Sequence, residues 1–119
     1  MHILTNVLVA LVALLHLYFF LIETVLFKTK GRKVFGLSAE KAEILAPAMS
    51  NQGCYNLFLV AALLIGLLHP DWHVGFLFKI YGLTCVIVAG IWGAVTVKRS
   101  ILYIQALPAL VALILAHFP

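Results

Sequence analysis

The sequence predicts an all-α membrane protein: four transmembrane helices in an up-down-up-down bundle, with a short interfacial helix between the first and second. Three observations carry that prediction. Of 119 residues, 65% are apolar and only 10% charged, with a mean hydropathy of +1.15; ordinary domains hold roughly 45–50% apolar and about 25% charged residues. The apolar residues fall into four runs of about twenty, the length that crosses ~30 Å of hydrocarbon. The basic residues cluster in two of the three connections between those runs. A soluble chain this short would have too little interior to hide so much apolar side chain. That argues against a soluble enzyme, a nucleic-acid-binding module, a disordered tail or a secreted disulfide scaffold. Residues 1–119 read as one four-helix transmembrane domain whose first partner is the lipid bilayer.

The first run, residues 3–27, is interrupted by His16 and Glu23. It has no basic region ahead of it and no A-x-A cleavage site, and it exceeds the core of a signal peptide, so it reads as retained. The second, about 47–68, carries Asn51, Gln52, Tyr55 and Asn56 in its first half, and the third covers 76–97. The fourth, 101–118, is short, and Pro108 near its middle predicts a kink. No period-two alternation appears, and the runs are too long for barrel strands. Cys54 and Cys85 lie inside apolar runs without a CxxC pattern and read as small buried apolar residues.

The connection 28–46 (KTKGRKVFGLSAEKAEILA) is the only long polar segment. Ser38 suits the cap of a short helix, with Glu40 in its first turn near the positive dipole end. Pro47 suits the first turn of the second span, where its missing N–H costs nothing. The helix 39–46 is therefore expected at the membrane interface. The connections 69–75 (HPDWHVG) and 98–100 (KRS) are short, which makes neighbouring helices antiparallel.

Lys28, Lys30, Arg32, Lys33, Lys41, Lys98 and Arg99 then share one side, against Lys79 alone, a little inside the third span, on the other. Seven against one is a positive-inside signal. It predicts a multi-pass protein of the cell membrane with basic loops 28–46 and 98–100 cytoplasmic and both termini outside. The net charge of +4 and pI of 9.3 report orientation, and no nucleic-acid partner is expected.

Polar side chains inside a span are costly, and each is a functional candidate. His16 sits near the middle of the first span and Glu23 about 10 Å deeper, on one helix face roughly 20° apart, with Phe19 and Phe20 between them. Asn51, Gln52, Tyr55 and Asn56 cover an arc of roughly 140° in the inner half of the second span. Trp92 on the third span and Gln105 on the fourth fall at the same depth. A single polar chamber opening toward the cytoplasm would satisfy all of them and would suit a ligand. The competing readings are structural. Amides and phenols such as Gln105, Tyr55 and Asn51 serve as interhelical hydrogen-bond glue. Glu23 lies about one turn from Lys28 and has the option of pairing there, and His16 has that of a hydrogen-bonded core histidine.

On the outer side, His69 and His73 flank Asp71, while His2 and His117 end spans on the same face. These read as solvated interfacial residues rather than a metal site, since Pro70 interrupts the one i, i+4 pair. Haem is disfavoured because only His16 is placed to be an axial ligand; no cofactor is assigned. Ala89/Gly93, Gly90/Ala94 and Ala112/Ala116 are small-residue pairs suited to close packing within one chain or in a homo-oligomer. Trp72, Trp92, Tyr103 and Phe118 include interfacial anchors. No phosphate-binding glycine loop, HExxH or nucleophile elbow is present.

The segments HLYFFLIE (16–23), GRKVFGLSAE (31–40) and NQGCYNLFLVA (51–61) resemble the small integral membrane proteins grouped as DUF1304, a likeness that extends over essentially the whole chain. It implies four spans and an uncharacterised bacterial or fungal membrane protein, and brings no activity with it. The family pattern places a Glu directly before the span-one histidine; this chain has Leu15 there and so one carboxylate fewer. His16, Glu23, Arg32, Asn51, Gln52, Tyr55 and Asn56 match its polar positions. The architecture is also similar to that of the MAPEG enzymes, four-helix membrane proteins acting on lipophilic substrates with glutathione.

Three functions follow as expectations. One is a binding or accessory protein holding a small amphiphile, its polar head near Glu23, Gln52 and Asn56 and its apolar part against Phe19, Phe20 and Trp92. The second is a glutathione-dependent membrane enzyme of MAPEG type, with Arg32 and Lys33 gripping the anionic cofactor. The third is a small proton-coupled transporter using His16 and Glu23 as a relay.

Overall fold

The computed structural model describes residues 2–118, and every regular element among them is helical. Helix α1 spans His2–Glu23. A π-helical turn, Phe27–Gly31, and the single turn α2, Arg32–Val34, lead to α3, Ala39–Leu68. Helix α4 spans Trp72–Thr96, and a second π-helical turn, Leu102–Ala106, runs into α5, Leu107–Ala116. Helices α1, α3 and α4 are long and apolar enough to cross a membrane; at 1.5 Å per residue they measure about 33, 45 and 38 Å against ~30 Å of hydrocarbon. The apolar segment Leu102–Ala116 reaches about 22 Å. Length therefore qualifies three helices where four were expected.

Two expected boundaries are corrected. The helix over 39–46 is not a separate element: α3 continues through Pro47 without a break. Its buried residues explain the continuity. Ala42, Gly53, Asn56, Val60 and Leu63 are buried, and Ala46, Met49 and Leu67 are half-buried at the intervening steps of three and four. That is one uninterrupted stripe. Pro47 and Glu43, the residue whose carbonyl loses its helical donor, both lie on the exposed side. Strong helix formers in AEKAEILA carry the turn across. The N-terminus starts where expected, with Lys41 N–H donating to Ser38 Oγ at 3.2 Å.

The interruption expected at Pro108 begins before the proline. Pro108 sits in the first turn of α5, and ahead of it Leu107 N–H bonds the carbonyl of Leu102, five residues back. The proline lacks the N–H that Ile104 O would accept, and the chain takes up the mismatch as a widened turn.

The chain divides into two compact units, with boundaries inside α1 and α3. One comprises Met1–Ala13 and Ala61–Pro119. There α4 packs along the second π turn and α5, and glycines set how closely. A Cβ on Gly75 would lie 2.9 Å from Gly66 O, one on Gly82 2.7 Å from Leu63 Cδ2, and one on Gly90 2.8 Å from Ala106 Cβ. Val9, Leu63, Leu83, Val86, Ala109 and Ala112 fill this unit's interior. Asp71 caps α4, its Oδ1 accepting from His73 N–H at 2.8 Å and Val74 N–H at 3.1 Å. The assignment of both chain ends to the outer side concerns Met1 and Pro119, which lie outside the described residues.

The other unit is Leu14–Val60. After α1 the chain turns back through the first π turn, where Gly31 N–H bonds Leu26 O at 2.7 Å. A Cβ at Gly31 would overlap the carbonyl oxygen of Ile22, so the turn closes only with glycine there. Helix α2 ends in a Schellman motif: Gly36 adopts φ +69°, Leu37 N–H bonds Arg32 O at 2.7 Å and Gly36 N–H bonds Lys33 O at 3.2 Å. This folded hairpin carries Lys28, Lys30, Arg32 and Lys33.

Candidate functional site

Along α1, Thr5, Val9, Val12, His16 and Glu23 are buried at steps of four, three, four and seven, one helical stripe. His16 and Glu23 thus occupy core positions rather than the exposed face of α1. His16 is 0% exposed and meets Phe19 edge-on, ring centres 5.4 Å apart at 75°.

Glu23 is 8% exposed and Asn56 7%. Asn56 Nδ2 donates to Glu23 Oε2 at 2.9 Å, and this is a buried contact. Gly53, one turn before Asn56, makes it reachable. A Cβ on Gly53 would stand 2.6 Å from Thr24 Cγ2 and 3.3 Å from Glu23 Cβ. Thr24 is itself held by its hydroxyl, which donates to Phe20 O at 2.6 Å. Backbone and short side chains thus bring α3 against the end of α1, and a carboxylate and an amide close the gap. Oε2 is engaged by Asn56, while Oε1 accepts no hydrogen bond from the described residues.

The option of a Glu23–Lys28 pair is overturned. Lys28 Nζ lies 3.1 Å from Glu43 Oε2, with both side chains more than half exposed. Such a pair is worth about 0.2–1 kcal/mol at most. Lys30 Nζ stands 5.4 Å from the Tyr18 ring centre.

The other candidates are distributed as follows. Asn51 and Gln52 are exposed, and Tyr55, 57% exposed, packs edge-on to Phe58 at 5.5 Å. Of the four polar residues on that helix, only Asn56 points into the core. Trp92, 72% exposed, and Gln105, half-buried, belong to the unit that contains α4 and α5. Arg32 is half-buried, and its Nη1 donates to Leu37 O at 3.3 Å, bracing the hairpin; Lys33 is exposed. Sequence reasoning missed Gly53 and Thr24. The available signal was a glycine inside an apolar span, three residues before a polar one.

Among the described residues no three His, Cys, Asp or Glu side chains gather to hold a metal ion. The side chain of His69 serves the turn ahead of α4, its Nδ1 accepting from Asp71 N–H at 3.0 Å. Hydrogen bonds from the Val74 and His73 backbone hold the Asp71 carboxyl below the usual aspartate range.

A family model described as protein of unknown function, DUF1304, matches residues 10–117. The chain belongs to the DUF1304 family. No curated protein and no solved structure matches it significantly. The matched region of this DUF1304 protein holds His16, Gly31, Gly36, Gly53 and the Glu23–Asn56 pair.

Proposed function

We propose that this DUF1304 protein is a multi-pass membrane protein that binds a small amphiphile or lipid-like molecule, with Glu23 and Asn56 as the polar end of the site. The observation that carries the reading is the buried hydrogen bond that joins those side chains between two helices long and apolar enough to cross a membrane. A carboxylate in a span is expensive and marks function by default. Its Oε1 accepts from a hydroxyl or amine head group. Phe19 and Phe20, one turn before Glu23 on the same helix face, offer the apolar counterpart. In this reading Leu102–Ala116 is a fourth, short span accommodated by local thinning of the bilayer. The basic connections 28–46 and 98–100 face the cytoplasm of the cell membrane.

The test is a thermal-shift series on the detergent-solubilised protein with long-chain alcohols and amines. Wild type is expected to gain stability with increasing ligand, Glu23→Leu to gain none, and a Lys98→Gln control to behave as wild type. Equal stabilisation of Glu23→Leu overturns the assignment.

A further inference from the structure

Lys79 is the one basic residue outside the two basic connections, and nothing in the Glu23–Asn56 site uses it. We propose that the recess beside Lys79, at the Trp72 end of α4, binds the phosphate of an anionic phospholipid. The recess holds about 20 Å³ and is lined by His2, Thr5, Asn6, Trp72, Phe76 and Lys79 among others. That is room for about one water-sized oxygen atom, not for a whole head group. A phosphate entering it places one oxygen inside and leaves the rest in the head-group layer.

The charge balance points to an anion. Lys79 Nζ donates to Asn6 Oδ1 at 2.7 Å, a neutral acceptor. Among the described residues no carboxylate stands within salt-bridge distance of it. An ammonium has three donors, and a cation on a span without a countercharge is costly. Asp71, the acidic residue at this end of α4, is engaged in capping the helix.

Position points to a lipid as the source. Lys79 lies seven residues into α4, about 10 Å along the axis. Its four-carbon stem reaches back toward the Trp72 level, where head groups sit. That stem is held: Gly66 lies so close that a Cβ there would be 2.7 Å from Lys79 Cγ. Trp72 stacks on Phe76 at 5.5 Å and 13°, and Phe76 meets His117 edge-on at 5.7 Å. Together they form an apolar wall for glycerol and upper acyl carbons.

The experiment is native mass spectrometry of the full chain in detergent, titrated with phosphatidylglycerol. Wild type and Lys79→Arg are expected to retain one lipid, Lys79→Gln to bind about five- to tenfold more weakly, and Lys98→Gln to match wild type. Asn6→Asp gives a second route that keeps the lysine and supplies it an internal countercharge; it is expected to weaken binding likewise. Unchanged retention in Lys79→Gln or Asn6→Asp, or an equal loss in Lys98→Gln, overturns the proposal. Displacement of the lipid by millimolar inorganic phosphate would assign the recess to a soluble anion and overturn it too.

Discussion

Glu23 and Asn56 are the pair on which the candidate site turns, and their energetics are asymmetric. Removing the amide leaves a buried carboxylate short of a donor, whereas removing both partners leaves apolar surface against apolar surface. Asn56→Leu is therefore expected to destabilise by about 1–3 kcal/mol. The double variant Glu23→Leu/Asn56→Leu should recover most of that loss. Thermal unfolding in detergent reads both, and strictly additive losses would dissolve the coupling. The sequence placed His16, Glu23 and Asn56 within spans, and composition sufficed for that. It did not separate Asn56 from Asn51, Gln52 and Tyr55, because an arc of polar residues on one helix does not reveal which part faces a neighbour. The 3–4 spacing of Gly53, Asn56, Val60 and Leu63 held that information.

At the level of elements, glycine decides how near two helices come. Gly53→Val is expected to push α3 from α1 and lower stability by about 1–3 kcal/mol, since its side chain would collide with Thr24 Cγ2. Adding Thr24→Ser deletes that methyl and should restore part of the loss, as read by the unfolding midpoint. The start of α4 carries a pH dependence. Asp71 is a carboxylate with a depressed pKa, so its cap is complete above the unfolded value of about 3.9. It weakens below that value and is gone once pH passes beneath the folded one. The amide resonances of His73 and Val74 should move toward unfolded shifts only in that acidic window, and in Asp71→Ala should be so at all pH. Helix ends were partly legible: Ser38 and Glu40 announced the start of α3. Pro47 was misleading, since a proline suits a first turn but an unbroken buried stripe carries a helix past one. The π turns had no sequence signature beyond Pro108 and Gly31.

For the whole molecule, hydropathy was the most legible property and fine topology the least. Three helices exceed the hydrocarbon thickness, whereas the apolar segment Leu102–Ala116, which includes the widened turn Leu102–Ala106, falls short of it. Orientation rests on the distribution of lysine and arginine. With Cys54 and Cys85 replaced, a cysteine at His73 is expected to react with an impermeant thiol reagent on intact cells. A cysteine at Ser38 should react only after permeabilisation. The reverse pattern would invert the topology.

The most direct measurement is a structure of the protein in a lipid nanodisc, inspected beside Glu23 Oε1. The account predicts an elongated, non-protein density ending within hydrogen-bond distance of that oxygen and running along Phe19 and Phe20. A side chain of the protein filling that space, with Glu23 satisfied internally, would contradict it.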